Sequence, residues 1–528
     1  LRHGPGKRLG SKTKYFNKGL LRIGNQAAIS HIIDYFNPEE HEFIIVTGHL
    51  GDIVKQYVTI AHPNIKVEFI EQENNIKGPG DALLQCKSLL DCPFYIWCAD
   101  TLVDLWDKRK ELPSVENNWI GFAETKSLDG EYSSVEINEH SGRIYDFHEK
   151  KSPKYTGNAY IGCAFVKDYE DFLFNLEHNP IIIDNQHQVS SGFQGLFRNT
   201  RVVFAERFRW FDIGDLDKLQ TTKADPLFEA KIENLDKDDE ELYFIGDNVI
   251  KYFYNSVISK NRVKRAKLLK GLVPDILGHS DNFYSYKFVE GVDLFDKSIV
   301  NLPNIIPNFL ESMWKSELWK EKTLNPEEYM KFQNACVDFY YRKTKNRVDD
   351  LHKKLQNIDT ETTINGETTA KLKDMLAILP WQKILNGKPC LMHGDMALSN
   401  IIKNGDDYSF IDWRQDFGGL TDFGDFYYDL AKLYATFLFP HDIIKQKRYK
   451  ISAEGTKISF EIEKTEDDKY GQCQTNFIAW LTTKGIDVKK VRQLTAIVLL
   501  NMSPMHEYPL NMLLYYLGKE TLWKTLKT

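Results

Sequence analysis

The chain has 528 residues, 42% hydrophobic and 27% charged, with a formal net charge of −7. That length exceeds what one core usually holds, so two or more domains are expected. Mild acidity with no long Lys/Arg face excludes a general nucleic-acid binder, and no apolar run reaches the length of a membrane span. Seven cysteines, an odd number with no Cys-x-x-Cys pair, predict reduced thiols in a cytoplasmic protein rather than a disulfide framework or a zinc site. The chain begins at Leu1 without a Met, which predicts a truncated or processed N-terminus.

The first segment, Leu1-Arg2-His3-Gly4-Pro5-Gly6-Lys7-Arg8-Leu9-Gly10, is a Gly-rich loop with Lys18 a few residues on. Glycines let a backbone wrap closely around phosphates, and Arg8 and Lys18 would neutralise them. Up to residue 225 short apolar strands alternate with helical patterns: Glu42-Phe43-Ile44-Ile45-Val46, a helix from Asp52, Lys66-Val67-Glu68-Phe69-Ile70, a helix from Gly80, then Phe94-Tyr95-Ile96-Trp97. Such alternation predicts an α/β, doubly wound, Rossmann-like domain with a mainly parallel sheet over 1–228. The charge-rich stretch 229–241 is expected to be the linker to a second domain over 242–528.

After it, Tyr243-Phe244-Ile245 and Asn248-Val249-Ile250-Lys251-Tyr252-Phe253, separated by Gly246-Asp247, predict a hairpin. A basic helix is expected over 259–272. Its Arg262, Lys264 and Arg265 are either an exposed face or phosphate ligands. A strand follows around 283–289, and residues 304–379 have helical period. Beyond Asp425 the pattern is again helical, with one hairpin around 449–463.

Between these helical regions lie His393-Gly394-Asp395-Met396-Ala397-Leu398-Ser399-Asn400 and Phe410-Ile411-Asp412-Trp413-Arg414. An Asp five residues before an Asn, with a second Asp ending a short apolar strand, suits phosphoryl transfer. One carboxylate accepts the proton of an attacking hydroxyl, while an amide oxygen and another carboxylate hold Mg²⁺ against nucleotide phosphates.

These runs, with Gly424-Asp425-Phe426-Tyr427-Tyr428-Asp429-Leu430-Ala431, resemble the aminoglycoside phosphotransferase and choline kinase family, whose fold is related to protein kinases. The resemblance implies an α+β kinase-like domain with a largely helical C-lobe. By it Asp395 is the catalytic base, Asn400 and Asp412 hold Mg²⁺, and Lys251 contacts the ATP phosphates. Phe288-Val289-Glu290-Gly291 is then the hinge beside the adenine, and Trp413 and Arg414 are expected at the acceptor. One departure is that the helix after Lys251 offers no Glu to pair with it.

The N-terminal loop and the segments after it resemble the sugar-phosphate nucleotidyltransferases, which include bacterial phosphocholine cytidylyltransferases. Their loop reads Gly-x-Gly-Thr-Arg-Leu and then Pro-Lys-x-Leu; here Lys7 replaces Thr and Asn17 replaces Pro. The resemblance implies nucleotide contacts at Gly4, Gly6, Gln72 and Gly78, and metal ligands at Asp100 and Asp212. It further implies charge-stabilising cations at Arg8, Lys18 and Lys150, and acceptor contacts at Glu149, Tyr160 and Gly162. The strand that should precede the loop is missing, so apolar residues upstream of Leu1 are expected.

A kinase that makes a phosphomonoester and a transferase that consumes one are consecutive steps. Their fusion implies a bifunctional enzyme with ATP and CTP as substrates and Mg²⁺ at both sites. The two resemblances imply choline, ethanolamine or a similar small alcohol, activated for decoration of a surface polysaccharide or lipid. Trp314, Trp319, Tyr340, Tyr341, Trp381 and Trp413 offer either an aromatic cage for a quaternary ammonium or a buried core. A sugar kinase joined to a sugar-phosphate nucleotidyltransferase, and a nucleotide sensor with one decayed domain, stay open as alternatives. The expected partners are small molecules, with oligomeric state open.

Overall fold

The computed structural model describes Leu9 and residues 13–72, 77–105, 111–125, 131–150, 152–230, 238–356, 358–465 and 467–527. The chain divides into two compact units, Leu1–Val257 with Leu277–Tyr286, and Ile258–Ile276 with Lys287–Thr528.

In the first unit, β1 (Phe43–Thr47) pairs in parallel with β2 (Val67–Glu71), joined by α1 (Gly51–Ala61). Ile53, Val54, Tyr57, Val58 and Ala61 form the buried face of α1, the spacing of an amphipathic helix. There follow α2 (Pro79–Gln85), β3 (Phe94–Trp97), β4 (Thr101–Asp104), β5 (Asn118–Glu124), β6 (Ser134–Ile137), β7 (Ile144–His148) and β8 (Asn158–Val166). Then come α3 (Ser190–Arg198), β9 (Val203–Arg207), β10 (Arg209–Asp212) and α4 (Leu216–Lys223). The central six-stranded sheet runs β9-β5-β8-β6-β7, with β3 also on β8. It is mixed rather than mainly parallel, because β8 runs antiparallel to β3, β5 and β6 while β9 runs parallel to β5.

The hairpin read as the start of the second domain forms as expected, from β11 (Glu240–Ile245) and β12 (Asn248–Phe253). With β13 (Ile276–His279) and β14 (Phe283–Lys287) it makes a four-stranded sheet in the order β11-β12-β14-β13. The division into units does not follow the expected linker at 229–241, because this sheet shares the core of the first unit. Tyr243, Ile250, Tyr252 and Phe283 lie in one apolar cluster with Leu20, Ile23 and Tyr57. The Tyr243 hydroxyl donates to Leu20 O at 2.7 Å, the Tyr252 hydroxyl to Tyr15 O at 2.6 Å, and Phe244 N to Asn25 O at 2.7 Å.

The second unit takes up most of α5 (Ser256–Leu268), which starts and ends a few residues earlier than expected. Next are β15 (Val292–Asp293), α6 (Leu302–Lys315) and α7 (Pro326–Cys336). The start of α7 is fixed by a capping box: the Asn325 side chain accepts from Glu328 N, and the Glu328 carboxylate accepts from Asn325 N. The helix passes through a π-helical turn, Val337–Arg342, into α8 (Lys343–Lys354).

Within the stretch expected to be helical stands a hairpin, β16 (Thr362–Ile364) and β17 (Glu367–Thr369). Its turn is Asn365-Gly366, with φ of +49° and +88°, and Asn-Gly between Thr-rich runs is itself a hairpin signal. Then follow β18 (Pro389–Cys390), β19 (Ile401–Asn404), β20 (Asp407–Phe410), α9 (Phe426–Leu438), the expected hairpin β21 (Tyr449–Glu454) and β22 (Lys457–Ile462), α10 (Lys469–Thr483), α11 (Val488–Met502) and α12 (Leu510–Lys527). α11 packs against α9 and α12, and α6 against α10. Among the described residues no helix is long and apolar enough to cross a membrane.

Candidate active sites

In the first unit a cleft of about 230 Å³ gathers Lys18, Asp100, Glu149, Lys150, Tyr160, Gly162 and Asp212. Lys18 begins a short 3₁₀ turn capped by Asn17, whose side chain accepts from Gly19 N and donates to His49 O at 2.6 Å. That turn brings Lys18 Nζ to 2.6 Å from Asp100 Oδ2. Across the cleft Asp212 accepts from Gly214 N at 2.7 Å and from the Tyr132 hydroxyl at 2.7 Å, with Lys218 Nζ 3.1 Å away.

Burial works against the Lys218 charge, but its bonds to Glu131, Tyr132 and Asp212 outweigh it and raise its pKa well above the ordinary value. Glu149 accepts from the Ser133 hydroxyl at 3.0 Å and from the Ser190 hydroxyl. The Tyr160 hydroxyl is buried in the cleft wall and has no hydrogen-bond partner among the described residues. Gly162 has φ +88°, and a Cβ there would lie 2.8 Å from Cys98 Sγ.

Gln72 is buried beside this cleft's N-terminal helix, donating to Gly78 O and Asp81 Oδ2, both at 3.2 Å. Gly78 has φ +93°, and a Cβ on it would meet His187 O at 2.5 Å. Gly4, Gly6 and Arg8 lie outside the described residues.

In the second unit the loop 391–400 is built around Asp429, a fully buried residue of α9. Its carboxylate accepts from His393 N at 2.8 Å, Gly394 N at 2.7 Å and Trp319 Nε1 at 3.1 Å. Burial pushes the Asp429 carboxyl up to about 6 against those bonds, so it is ionised at neutral pH. Burial also takes His393 down to about 4. The neutral ring is fixed in one tautomer: Nε2 donates to Ile411 O at 3.0 Å, and Nδ1 accepts from Asp395 N at 3.2 Å. Gly394 has φ +87°, and a Cβ there would lie 2.6 Å from Arg414 Cβ.

The loop presents Asp395 half-buried, with Lys432 Nζ 2.7 Å from Oδ1. Burial raises the Asp395 carboxyl, but Lys432, with His393 and Arg414, outweighs it and holds the group down to about 2. Asn400 Nδ2 donates to Asp395 O at 2.9 Å, which leaves the amide oxygen as a hard donor. Asp412 stands at φ +59°, a left-handed conformation that Asp tolerates better than most residues. Arg262 Nη1 lies 3.2 Å from its Oδ1.

Carboxylate and amide oxygens are the donor types that Mg²⁺ takes. At the first cleft Asp100 and Asp212 each already face a lysine cation, the environment of a site built for positive charge.

Several expected positions need correction. Trp413 is fully buried, donating from Nε1 to Arg262 O at 2.8 Å, so its ring is closed to an acceptor. Trp319 and Tyr340 take the buried-core alternative, bonded to Asp429 and Asp425. Trp314 has Lys388 Nζ 5.5 Å and Lys484 Nζ 5.6 Å from its centroid, which occupies the face a quaternary ammonium would need.

Arg265 is neither exposed nor a phosphate ligand: it is fully buried, donating to Thr421 O and Met392 O. Lys264 pairs with Asp422 at 2.9 Å. Lys251 is buried on β12 and belongs to the first unit, whereas Glu290 is exposed in the second. Sequence reasoning missed Lys218, Tyr132 and the two serines at the first cleft, and Asp429 and Lys432 as partners of the loop. Asp429 lies inside a run already matched to a motif, which was the available signal.

Residues 322–452 match the model of the phosphotransferase enzyme family. Over the N-terminal part the chain is similar to solved structures. A UDP-glucose pyrophosphorylase complexed with UDP-glucose is 20% identical, over 42% of this chain and 94% of that one, at a TM-score of 0.37. An inositol-1-phosphate CTP transferase from T. maritima is 15% identical, over 42% and 91%, at 0.34. No curated protein matches the chain significantly. In the second unit, then, residues 322–452 carry the match to the phosphotransferase enzyme family.

Proposed function

We propose that the chain is a bifunctional enzyme that phosphorylates a small alcohol with ATP and then couples the phosphomonoester to a nucleotide, CTP by preference, with release of pyrophosphate. The observation that carries this reading is the grouping of polar residues at two places. Asp395 and Asn400 share one loop tied to Asp429, and Asp100, Asp212, Lys18, Glu149 and Lys150 line one cleft.

In the first reaction the acceptor hydroxyl gives its proton to Asp395 as its oxygen bonds to the γ-phosphorus of ATP, and the bond to the β-bridging oxygen breaks to release ADP. Lys432 keeps that carboxylate ionised and oriented. Asn400 and Asp412 would hold Mg²⁺, which when bound offsets phosphate charge. In the second reaction the ester's phosphate oxygen attacks the α-phosphorus of the nucleotide and pyrophosphate leaves. No base is required, since the nucleophile is already ionised at neutral pH. Lys18 and Lys150 would spread the growing charge, and Asp100 and Asp212 would hold the metal. The product would be a CDP-activated precursor for decorating a surface polysaccharide or lipid, made in the cytoplasm where ATP and CTP are available.

The test offers the full chain ATP, CTP and a panel of small alcohols, amino alcohols and sugars, and follows ADP and pyrophosphate separately. Asp395→Asn should abolish ADP formation and spare pyrophosphate release from a supplied phosphomonoester. Asp100→Ala with Asp212→Ala should do the reverse. Loss of both activities in either variant overturns the two-site reading, and formation of a UDP- or GDP-sugar alone overturns the preference for CTP.

A further inference from the structure

Near Lys432, the partner of Asp395, the second unit holds two basic side chains with no acceptor among the described residues. Lys343 begins α8 directly after the π-helical turn, and its Nζ lies 4.1 Å from the centroid of Phe339. Arg414 Cζ lies 4.8 Å from the same ring. Among the described residues neither side chain has a carboxylate within ion-pair distance or a hydrogen-bond acceptor, and Arg414 Nε is buried without a partner. π-Helical turns occur frequently at functional sites. This one precedes the helical face that carries Lys343 and, one turn on, Arg347, whose Nη1 donates to Asn501 O at 2.7 Å.

Around Lys343 stand Arg414, Arg347 and Lys432, with Asp416 as the opposing charge. Burial and those three cations together push the Lys343 ammonium down to about 6. This half-buried group of basic side chains has Asp416 and Asp395 as acidic neighbours, and a bound anion would supply the counter-charge that favours the protonated Lys343.

We propose that Lys343, Arg347, Arg414 and Lys432 form the acceptor subsite of the phosphotransferase half, and that the alcohol phosphorylated there carries a second, negatively charged group, a carboxylate or a phosphate. This rests on the reading of Asp395 as the base that receives the alcohol's proton. The anion would lie among the cations and bring its hydroxyl to Asp395. Lys432, bonded to Asp395, ties the two functions together. A quaternary ammonium such as choline would be repelled at the same place, and Trp413, Trp319 and Tyr340 are buried and so closed to it.

Two measurements on the full chain test this. In the first, with ADP, CTP and Mg²⁺ saturating, sulfate and tetramethylammonium are titrated by calorimetry. Sulfate should bind and tetramethylammonium should not. Lys343→Met and Arg414→Gln should each weaken sulfate by about tenfold or more, with Arg414→Lys restoring most of the affinity. Lys343→Met keeps an unbranched stem on Phe339, and an unchanged circular-dichroism melt identifies a folded variant.

In the second measurement, ADP formation is compared for glycerate, glycerol 3-phosphate, glycerol and choline. One of the anionic acceptors should exceed glycerol and choline by at least about tenfold in kcat/KM, and Lys343→Met should raise its KM while leaving the KM for ATP unchanged. Preference for choline, sulfate binding equal in all variants, or a rise in the KM for ATP alone overturns the proposal; the last would assign the cations to the γ-phosphate. If none of the four acceptors reacts, sulfate titration decides. Failure of the kinase reading is separate: ADP formation would then survive Asp395→Asn while sulfate binding still depended on Lys343.

Discussion

Lys432 Nζ sits 2.7 Å from Asp395 Oδ1, and this contact sets the protonation range of the proposed base. A carboxyl held down to about 2 contributes stability that is fully present above the ordinary Asp range and is lost as pH falls through about 2. The wild type should therefore show no loss of phosphorylation from Asp395 above about pH 4. Lys432→Met removes the cation and leaves the burial, so the Asp395 pKa moves up. A pH–rate profile at saturating acceptor should then gain a limb in which kcat falls on acidification from a higher pH. An unchanged profile would exclude Lys432 as the controlling group.

Asp429 makes the opposite prediction. Its raised carboxyl, about 6, gives a stability contribution that is lost as pH rises through 6, because ionisation in the core is costly. Activity should move the other way, since only the carboxylate can accept from both His393 N and Gly394 N. The wild-type kcat should fall as pH drops through about 6. Asp429→Asn should remove that limb and lower kcat by roughly a hundredfold through misplacement of the loop.

Arg265 should behave as a structural residue. Arg265→Ala would leave Met392 O and Thr421 O without their donors, at a cost of about 2–4 kcal/mol in urea unfolding. Arg265→Lys should recover little, because one ammonium cannot replace a planar fork that reaches two carbonyls.

Gly78→Ala should disable the first unit selectively. The added Cβ would meet His187 O and N at 2.5 and 2.7 Å, backbone atoms that cannot turn aside, at a φ of +93°. Pyrophosphate release should fall together with a loss of roughly 2–3 kcal/mol in stability, while ADP formation persists. Equal loss of both activities would contradict this.

Much of the chemistry was legible because it is local. His393 to Asn400 is one short segment, so the relation between Asp395 and Asn400 follows from spacing alone, and the strands at 43–47 and 94–97 are set by contiguous apolar runs. What escaped depends on distant pairing. Asp429 sits in a run that resembles a family motif, but its role as acceptor shows only when His393 and Gly394 are seen to point their N–H groups at it. Lys218 differs from neighbouring lysines only through Asp212 and Glu131. The helix 256–268 reads as a solvated basic face because its sequence cannot reveal that Thr421 and Met392 offer carbonyls to Arg265. The hairpin at 362–369 had a local signal, Asn365-Gly366, obscured by the helical stretches on either side.

The sheet β11–β14 bears on the lineage of the fusion. Recombination between residues 229 and 241 would appear to exchange whole modules, yet it would cut through a core: Tyr243, Tyr252 and Phe283 would be taken from the cluster holding Leu20 and Tyr57. An upstream fragment would expose that apolar face, and a downstream fragment would carry its strands without the surface that covers them. Either product would be aggregation-prone. A laboratory dissection that preserves the first core must retain residues 240–257 and 277–286 with the N-terminal piece.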